Sequence, residues 1–223
     1  TFFQRRGTGN GSDDALPAVF EDYMHQVNAK LGTNYGLFNY YGAPDADRVI
    51  VAMGSFCDVV EEVVDYLNAH GEKVGLVKVR LYRPFVSSKF MAALPETVEK
   101  IAVMDRTKEP GSLGEPLYMD VVNALAHEGR SDLTVVGGRY GLASKDTPPS
   151  PVFAVYPELE KDAPARAFTV GLVDDVTNLS LPADPTRSHP PAQGPTHSHS
   201  RGLRRAGPVG PTPNTPHHTH HPH

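Results

Sequence analysis

The sequence predicts a three-layer α/β domain on a mainly parallel sheet of about five strands, followed by a tail with no core of its own. Three observations point there. From Arg48 to Val173, short apolar runs alternate with stretches of helical period, the pattern of strands buried on both faces. The intervening stretches are long enough for helices, which implies right-handed crossovers and parallel strands. Apolar content then stops: ten of the 21 prolines and eight of the 11 histidines fall from Pro182 to His223, beside only Ala183, Ala192, Leu203, Ala206 and Val209. So little hydrophobic surface does not offset the entropy of ordering, so residues 183–223 are expected to be disordered.

Residues 1–12 end in Gly7-Thr8-Gly9-Asn10-Gly11-Ser12 and read as a linker, because no strand precedes this glycine-rich run as a phosphate loop would require. The core domain is expected over 13–182. It opens with a helix capped by Asp13 or Asp14 and stopped by Gly32, with Leu16, Val19, Phe20, Tyr23, Met24, Val27 and Leu31 at helical spacing. Tyr35 to Pro44 reads as an aromatic connection. Val49-Ile50-Val51-Ala52-Met53 is the first strand, and Val59, Val60, Val63, Val64 and Leu67 mark the helix after it, ending at Gly71. Val74–Leu81 is the second strand, Ser88–Leu94 a short helix and Lys100–Asp105 the third strand. Pro116 suits the first turn of a helix that sets Leu117, Tyr118, Val121, Val122 and Leu125 on one face. Leu133–Val136 and Phe168–Val173 complete the sheet, around a helix near Pro151–Glu160 broken or kinked by Pro157.

Charge and cysteine content exclude several classes. The formal charge is −5 overall, and removing the tail's Asp184 and four arginines leaves the body at −8, a poor match to nucleic acid. The single cysteine, Cys57, excludes a disulfide framework, a four-thiolate zinc site or a cysteine-ligated iron–sulfur cluster within this chain, and suits a cytoplasmic setting. No run reaches the roughly 18 apolar residues of a bilayer span, and no signal-type apolar region follows Thr1-Phe2-Phe3-Gln4-Arg5-Arg6. No membrane and no nucleic acid are therefore expected as partners. A start at Thr1 suggests a piece of a longer protein.

In a parallel sheet, ligands meet the loops beyond the strands' carboxyl ends. Those loops hold Gly54 and Ser55, then Arg80 and Arg83, then Arg106 and Lys108, then Arg139 and Lys145. Along Val74–Leu81 one face passes from Val74 and Leu76 to Lys78 and Arg80, so the edge turns basic on an acidic body. Beside helix amino termini, such a rim suits a phosphate- or carboxylate-bearing ligand or an acidic surface of another domain. The same residues also suit internal pairing, with Asp105, Glu109 and Asp146 as partners. Ser55 with Asp58 has the form of a capping box, so Ser55 reads as an N-cap rather than a nucleophile. Cys57 reads as a packing residue, and His25, His70 and His127 as solvated. No catalytic residue is expected, and no metal site: the tail's Thr215-Pro216-His217-His218-Thr219-His220-His221 preorganises no ligand shell.

Five longer motifs carry a more specific signal. They are residues 40–55 (YYGAPDADRVIVAMGS), 78–85 (KVRLYRPF), 105–118 (DRTKEPGSLGEPLY with Ser112), 136–142 (VGGRYGL) and 173–177 (VDDVT). In order and spacing these resemble the second domain of pyruvate:ferredoxin (flavodoxin) oxidoreductase, over roughly residues 13–182. The resemblance implies a fold like the carboxyl-terminal domain of transketolases. It also implies a parent enzyme that oxidatively decarboxylates pyruvate to acetyl-CoA with reduction of ferredoxin or flavodoxin. That parent uses thiamine diphosphate, magnesium and 4Fe-4S clusters, takes coenzyme A as co-substrate, and is a homodimer. By the same resemblance the thiamine- and cluster-binding residues lie in other domains, so this chain alone is expected to be a scaffold with possible coenzyme A contacts and no turnover. A free-standing anion-binding module is the alternative. Ala143 stands where the family pattern calls for glycine, and the Pro/His-rich tail departs from the third domain expected there, as a shifted reading frame would.

Overall fold

The computed structural model describes residues 10–173 and 176–183. Its elements are α1 (Asn10–Leu31), β1 (Phe38–Gly42), β2 (Arg48–Met53), α2 (Phe56–Ala69), β3 (Val74–Val79), α3 (Ser87–Ala93), β4 (Lys100–Asp105), α4 (Pro116–His127), β5 (Thr134–Arg139), a 3-10 turn (Leu142–Ser144), α5 (Pro149–Phe153), α6 (Val155–Glu160) and β6 (Ala167–Thr169). Successive residues of a strand face opposite sides of its sheet, and here both sides are apolar. Ile50, Ala52, Val74, Leu76, Ala102 and Met104 pack under α2, α5 and α6. Their neighbours Val49, Val51, Val77, Val79, Ile101 and Val103 pack under α3 and α4. Two apolar layers on one sheet make the three-layer α/β architecture that the alternating runs predict.

The sheet order is β1-β3-β2-β4-β5-β6, with every neighbouring pair parallel except β1 and β3. The described residues thus hold six strands where five are expected. The extra one is β1, in the segment that reads as a connection: Phe38, Tyr40 and Tyr41 are good strand formers, and the strand pairs antiparallel from Phe38↔Val79 to Gly42↔Gly75. A Cβ at Gly42 would come within 2.5 Å of the Val74 carbonyl oxygen and 2.7 Å of Gly75 Cα, so the glycine at 42 permits the close approach, while the space beside Gly75 is filled by the Tyr40 ring.

Other boundaries also move. The first helix starts at Asn10, inside the expected linker, and β3 ends at Val79 rather than Leu81. β5 runs on through Gly137, Gly138 and Arg139, residues expected in a loop, because each pairs in register with β4 up to Asp105↔Arg139. β6 is shorter than expected, ending at Thr169. The break in the last helical stretch falls at Ala154, not Pro157; Pro157 is the third residue of α6, where its missing N–H costs no ladder bond. Residues 1–9 of the expected linker, Asp174 and Asp175 of the last motif, and the tail from 184 onward lie outside the described residues.

Candidate functional site

The parallel strands run β3-β2-β4-β5-β6 in space, so the chain steps one way from β2 to β3 and then crosses back to β4. The order reverses between β2 and β4, the place where open α/β sheets form a ligand crevice. Register shows the opening directly. Pairing of β2 with β4 stops at Val51↔Val103, whereas β2 follows β3 to Met53↔Val79 and β4 follows β5 to Asp105↔Arg139. The two central strands therefore part at their carboxyl ends.

A cleft of about 360 Å³ fills that gap, lined by Ser55, Phe56 and Val59 after β2, Arg106 after β4, and Tyr140 with Lys145, Asp146, Thr147 and Pro148 after β5. Its floor is an aromatic pair: Phe56 and Tyr140 stack with centroids 3.8 Å apart and planes within 15°. Burial pushes the Tyr140 phenol up to about 12, so it stays a neutral donor at physiological pH. Arg106 is exposed, and its Nε donates to the Gly141 carbonyl at 3.4 Å. Arg106 and Lys145 against Asp146 leave the lining with one net positive charge.

A second cleft of about 380 Å³ lies on the other side of the same loop, lined by Gly54, Ser55, Cys57, Asp58, Lys78, Val79 and Arg80. Lys78 pairs with Glu61 on α2 and sits 5.4 Å from the Tyr41 ring centroid. Arg80 donates from Nε to Asn39 Oδ1 at 2.8 Å, and its guanidinium lies 4.6 Å over the Tyr35 ring.

The rim residues thus divide. Ser55 and Arg106 meet in the first cleft; Gly54, Ser55 and Arg80 meet in the second. Arg83 reaches Asp120 at 2.7 Å and stacks 4.0 Å over Tyr82. Arg139 pairs with Glu115, which is 3% exposed. Both are engaged internally, though with Asp120 and Glu115 rather than the acids expected from sequence. Lys108 is exposed and lines neither cleft. Asp105, expected to pair with an arginine, instead accepts the N–H groups of Leu117 and Tyr118 at 3.1 Å each.

Ser55 does occupy the N-cap position of α2, but with helical φ/ψ of −65° and −19° and no side-chain cap, because an N-cap hydroxyl reaches the first-turn amides from an extended backbone. The Cys57 and Asp58 N–H groups turn back to the Gly54 and Ser55 carbonyls at 3.1 and 3.2 Å. The positive charge of the first cleft is therefore that of Arg106 and Lys145 rather than of the helix end. Cys57 is 3% exposed, and burial pushes its thiol up to about 11, so it stays an unreactive thiol. The Phe56–Tyr140 floor escaped the sequence reading; its one local signal is that Tyr140 precedes Gly141, which takes a left-handed φ of 60°.

Comparison with known proteins converges on one family. Residues 46–149 match the family model described as pyruvate:ferredoxin oxidoreductase core domain II. A pyruvate-flavodoxin oxidoreductase of Klebsiella pneumoniae is 56% identical over 181 residues, covering 81% of this chain and 15% of that protein. A pyruvate:ferredoxin oxidoreductase of Moorella thermoacetica is 56% identical over 180 residues, with the same coverages of 81% and 15%. A pyruvate-flavodoxin oxidoreductase of a Nostoc species is 57% identical over 162 residues, covering 73% of this chain and 40% of that protein. The chain thus spans about 15% of the length of the first two relatives.

Proposed function

Because this chain carries a core domain II of the pyruvate:ferredoxin oxidoreductase family, we propose that it serves as an internal scaffold domain of a cytoplasmic enzyme of that kind. The whole enzyme oxidatively decarboxylates pyruvate to acetyl-CoA with thiamine diphosphate and passes the electrons to ferredoxin or flavodoxin. The observation that carries this reading is the 56% identity to a pyruvate-flavodoxin oxidoreductase over 181 residues. No observation favours a free-standing module.

One cysteine cannot hold a 4Fe-4S cluster, and the described residues contain no group of three His, Cys, Asp or Glu suited to a metal such as magnesium. The family resemblance assigns the clusters, thiamine diphosphate and magnesium to other domains of a homodimeric enzyme. What this domain offers is the switch-point cleft. Arg106 and Lys145 supply cationic donors, and the Phe56–Tyr140 stack supplies an apolar floor, a combination suited to a phosphate group of coenzyme A or an acidic loop of a neighbouring domain.

The test is a chimera in which this chain replaces the aligned 181-residue segment of the Klebsiella enzyme. It is expected to reduce flavodoxin with pyruvate and coenzyme A. Arg106→Ala with Lys145→Ala is expected to raise the KM for coenzyme A roughly tenfold or more, the loss of a charge-assisted contact, without lowering the melting temperature. An inactive but folded chimera would overturn the scaffold role, and an unchanged KM with unchanged assembly would remove the cleft from it.

A further inference from the structure

Helix α1 should bury an apolar face, and it does not. Its apolar side chains recur at positions 16, 20, 23, 27 and 31, one stripe along a helix, yet Phe20 is 40% exposed, Tyr23 64%, Val27 38% and Leu31 59%. Val19 beside them is 47% exposed and Tyr35 38%. Beside that stripe, Met24 packs against the domain's core, and Glu21 ties the helix to α3 through Lys89 at 2.8 Å. Phe20, Tyr23, Met24, Val27, Tyr35 and Arg80 enclose a mostly apolar groove of about 320 Å³. Arg80 also lines the second carboxyl-edge cleft, so groove and cleft meet at that guanidinium.

An exposed stripe of four to six large apolar side chains, rich in aromatics, marks an interaction surface. We propose that this groove is the docking face for another domain of the same enzyme polypeptide, one that presents an apolar ridge with an acidic side chain beside it. Two observations select that occupant. The relatives at 56% identity continue for most of their length outside the segment this chain matches, so an enzyme of that kind carries covering surface in the same molecule. The one charged side chain that lines the groove is Arg80, which an acidic group on the ridge complements. The proposal rests on the reading of the chain as one domain of a longer enzyme.

The test reads solvent access at position 23 rather than turnover. Cys57 is the chain's one cysteine and is buried, so Tyr23→Cys introduces a thiol whose labelling by a maleimide is followed by peptide mass spectrometry. Labelling is expected to be fast in the 223-residue chain and at least about 100-fold slower in the Klebsiella chimera, as for a group shielded by a docked domain. Equal labelling in both overturns the docking face even if the chimera is active; slow labelling in an inactive chimera supports it while the functional reading fails. Sedimentation of the chain alone adds a second reading. A monomer at micromolar concentration supports the proposal, and a dimer that Tyr23→Glu dissolves overturns it in favour of a second copy as the occupant.

Discussion

The Asp105 carboxylate, at the end of β4, holds the N–H groups of Leu117 and Tyr118 in the first turn of α4, both at 3.1 Å. One side chain thereby caps a helix twelve residues away and pins the loop that carries Arg106 and Lys108. Removing it by Asp105→Ala is expected to cost about 1–2 kcal/mol, the range of a lost helix cap. Urea denaturation of the chain measures it, and a loss below about 0.3 kcal/mol would mean that water replaces the cap.

The same carboxyl titrates above its ordinary range because burial disfavours its charge, with Glu115 and Asp120 adding to that and the two N–H donors opposing it. A raised value in the folded state means that ionisation weakens the fold. Stability from this group is thus fullest below the unfolded-state value near 4 and declines as pH rises through the folded value. The stability of wild type minus that of Asp105→Asn is expected to shrink between pH 4 and pH 7; a difference that grows over that range contradicts the assignment.

Arg139 donates to Glu115, which also accepts the Glu109 N–H at 2.6 Å and is 3% exposed. Deleting only the arginine leaves a buried carboxylate without its cation. Arg139→Met is expected to cost about 3 kcal/mol, and Arg139→Met with Glu115→Gln to recover at least half of that. A double-mutant cycle in urea reads the coupling, and additive losses would show that the pair contributes no interaction.

Ala143 lies in a left-handed conformation, φ 55° and ψ 35°, where its Cβ crowds the backbone. The family resemblance calls for glycine there, and the backbone supplies the reason. Ala143→Gly is expected to stabilise the chain by about 0.5–1 kcal/mol, seen as a rise in urea midpoint at constant slope. A fall in midpoint contradicts it.

Gly138 is a strand residue whose missing side chain is replaced by its neighbours: an added Cβ would lie 2.7 Å from Phe168 Cε2 and closer still to Met104 Sδ. Gly138→Ala is expected to cost about 1–3 kcal/mol through overpacking, and Gly138→Ala with Met104→Ala to regain part of it. Thermal unfolding of the three variants decides, and a neutral single substitution would show that the core gives way.

Periodicity made some of this legible and left the rest out of reach. β2, β4, α2 and α4 follow from runs whose apolar period is undiluted. β1 did not, because an aromatic run interrupted by Asn39 and ended by Gly42 resembles a loop until its partner strand is known. Gly137 and Gly138 read as a turn for the same reason: glycine signals a turn locally, while the Tyr118, Met104 and Phe168 side chains that fill their space come from other elements. The basic residues of the rim were visible, but their partners were not, since Glu115 is 24 residues from Arg139 and Asp120 is 37 from Arg83. The exposed face of α1 was visible only as an amphipathic stripe, a pattern that promises burial without saying by what.

The most direct measurement is pyruvate- and coenzyme-A-dependent flavodoxin reduction by the purified 223-residue chain and by the Klebsiella chimera that contains it, with thiamine diphosphate and magnesium supplied to both. A domain that holds others in place gives no turnover alone and turnover in the chimera. Sustained reduction by the chain on its own would contradict that role.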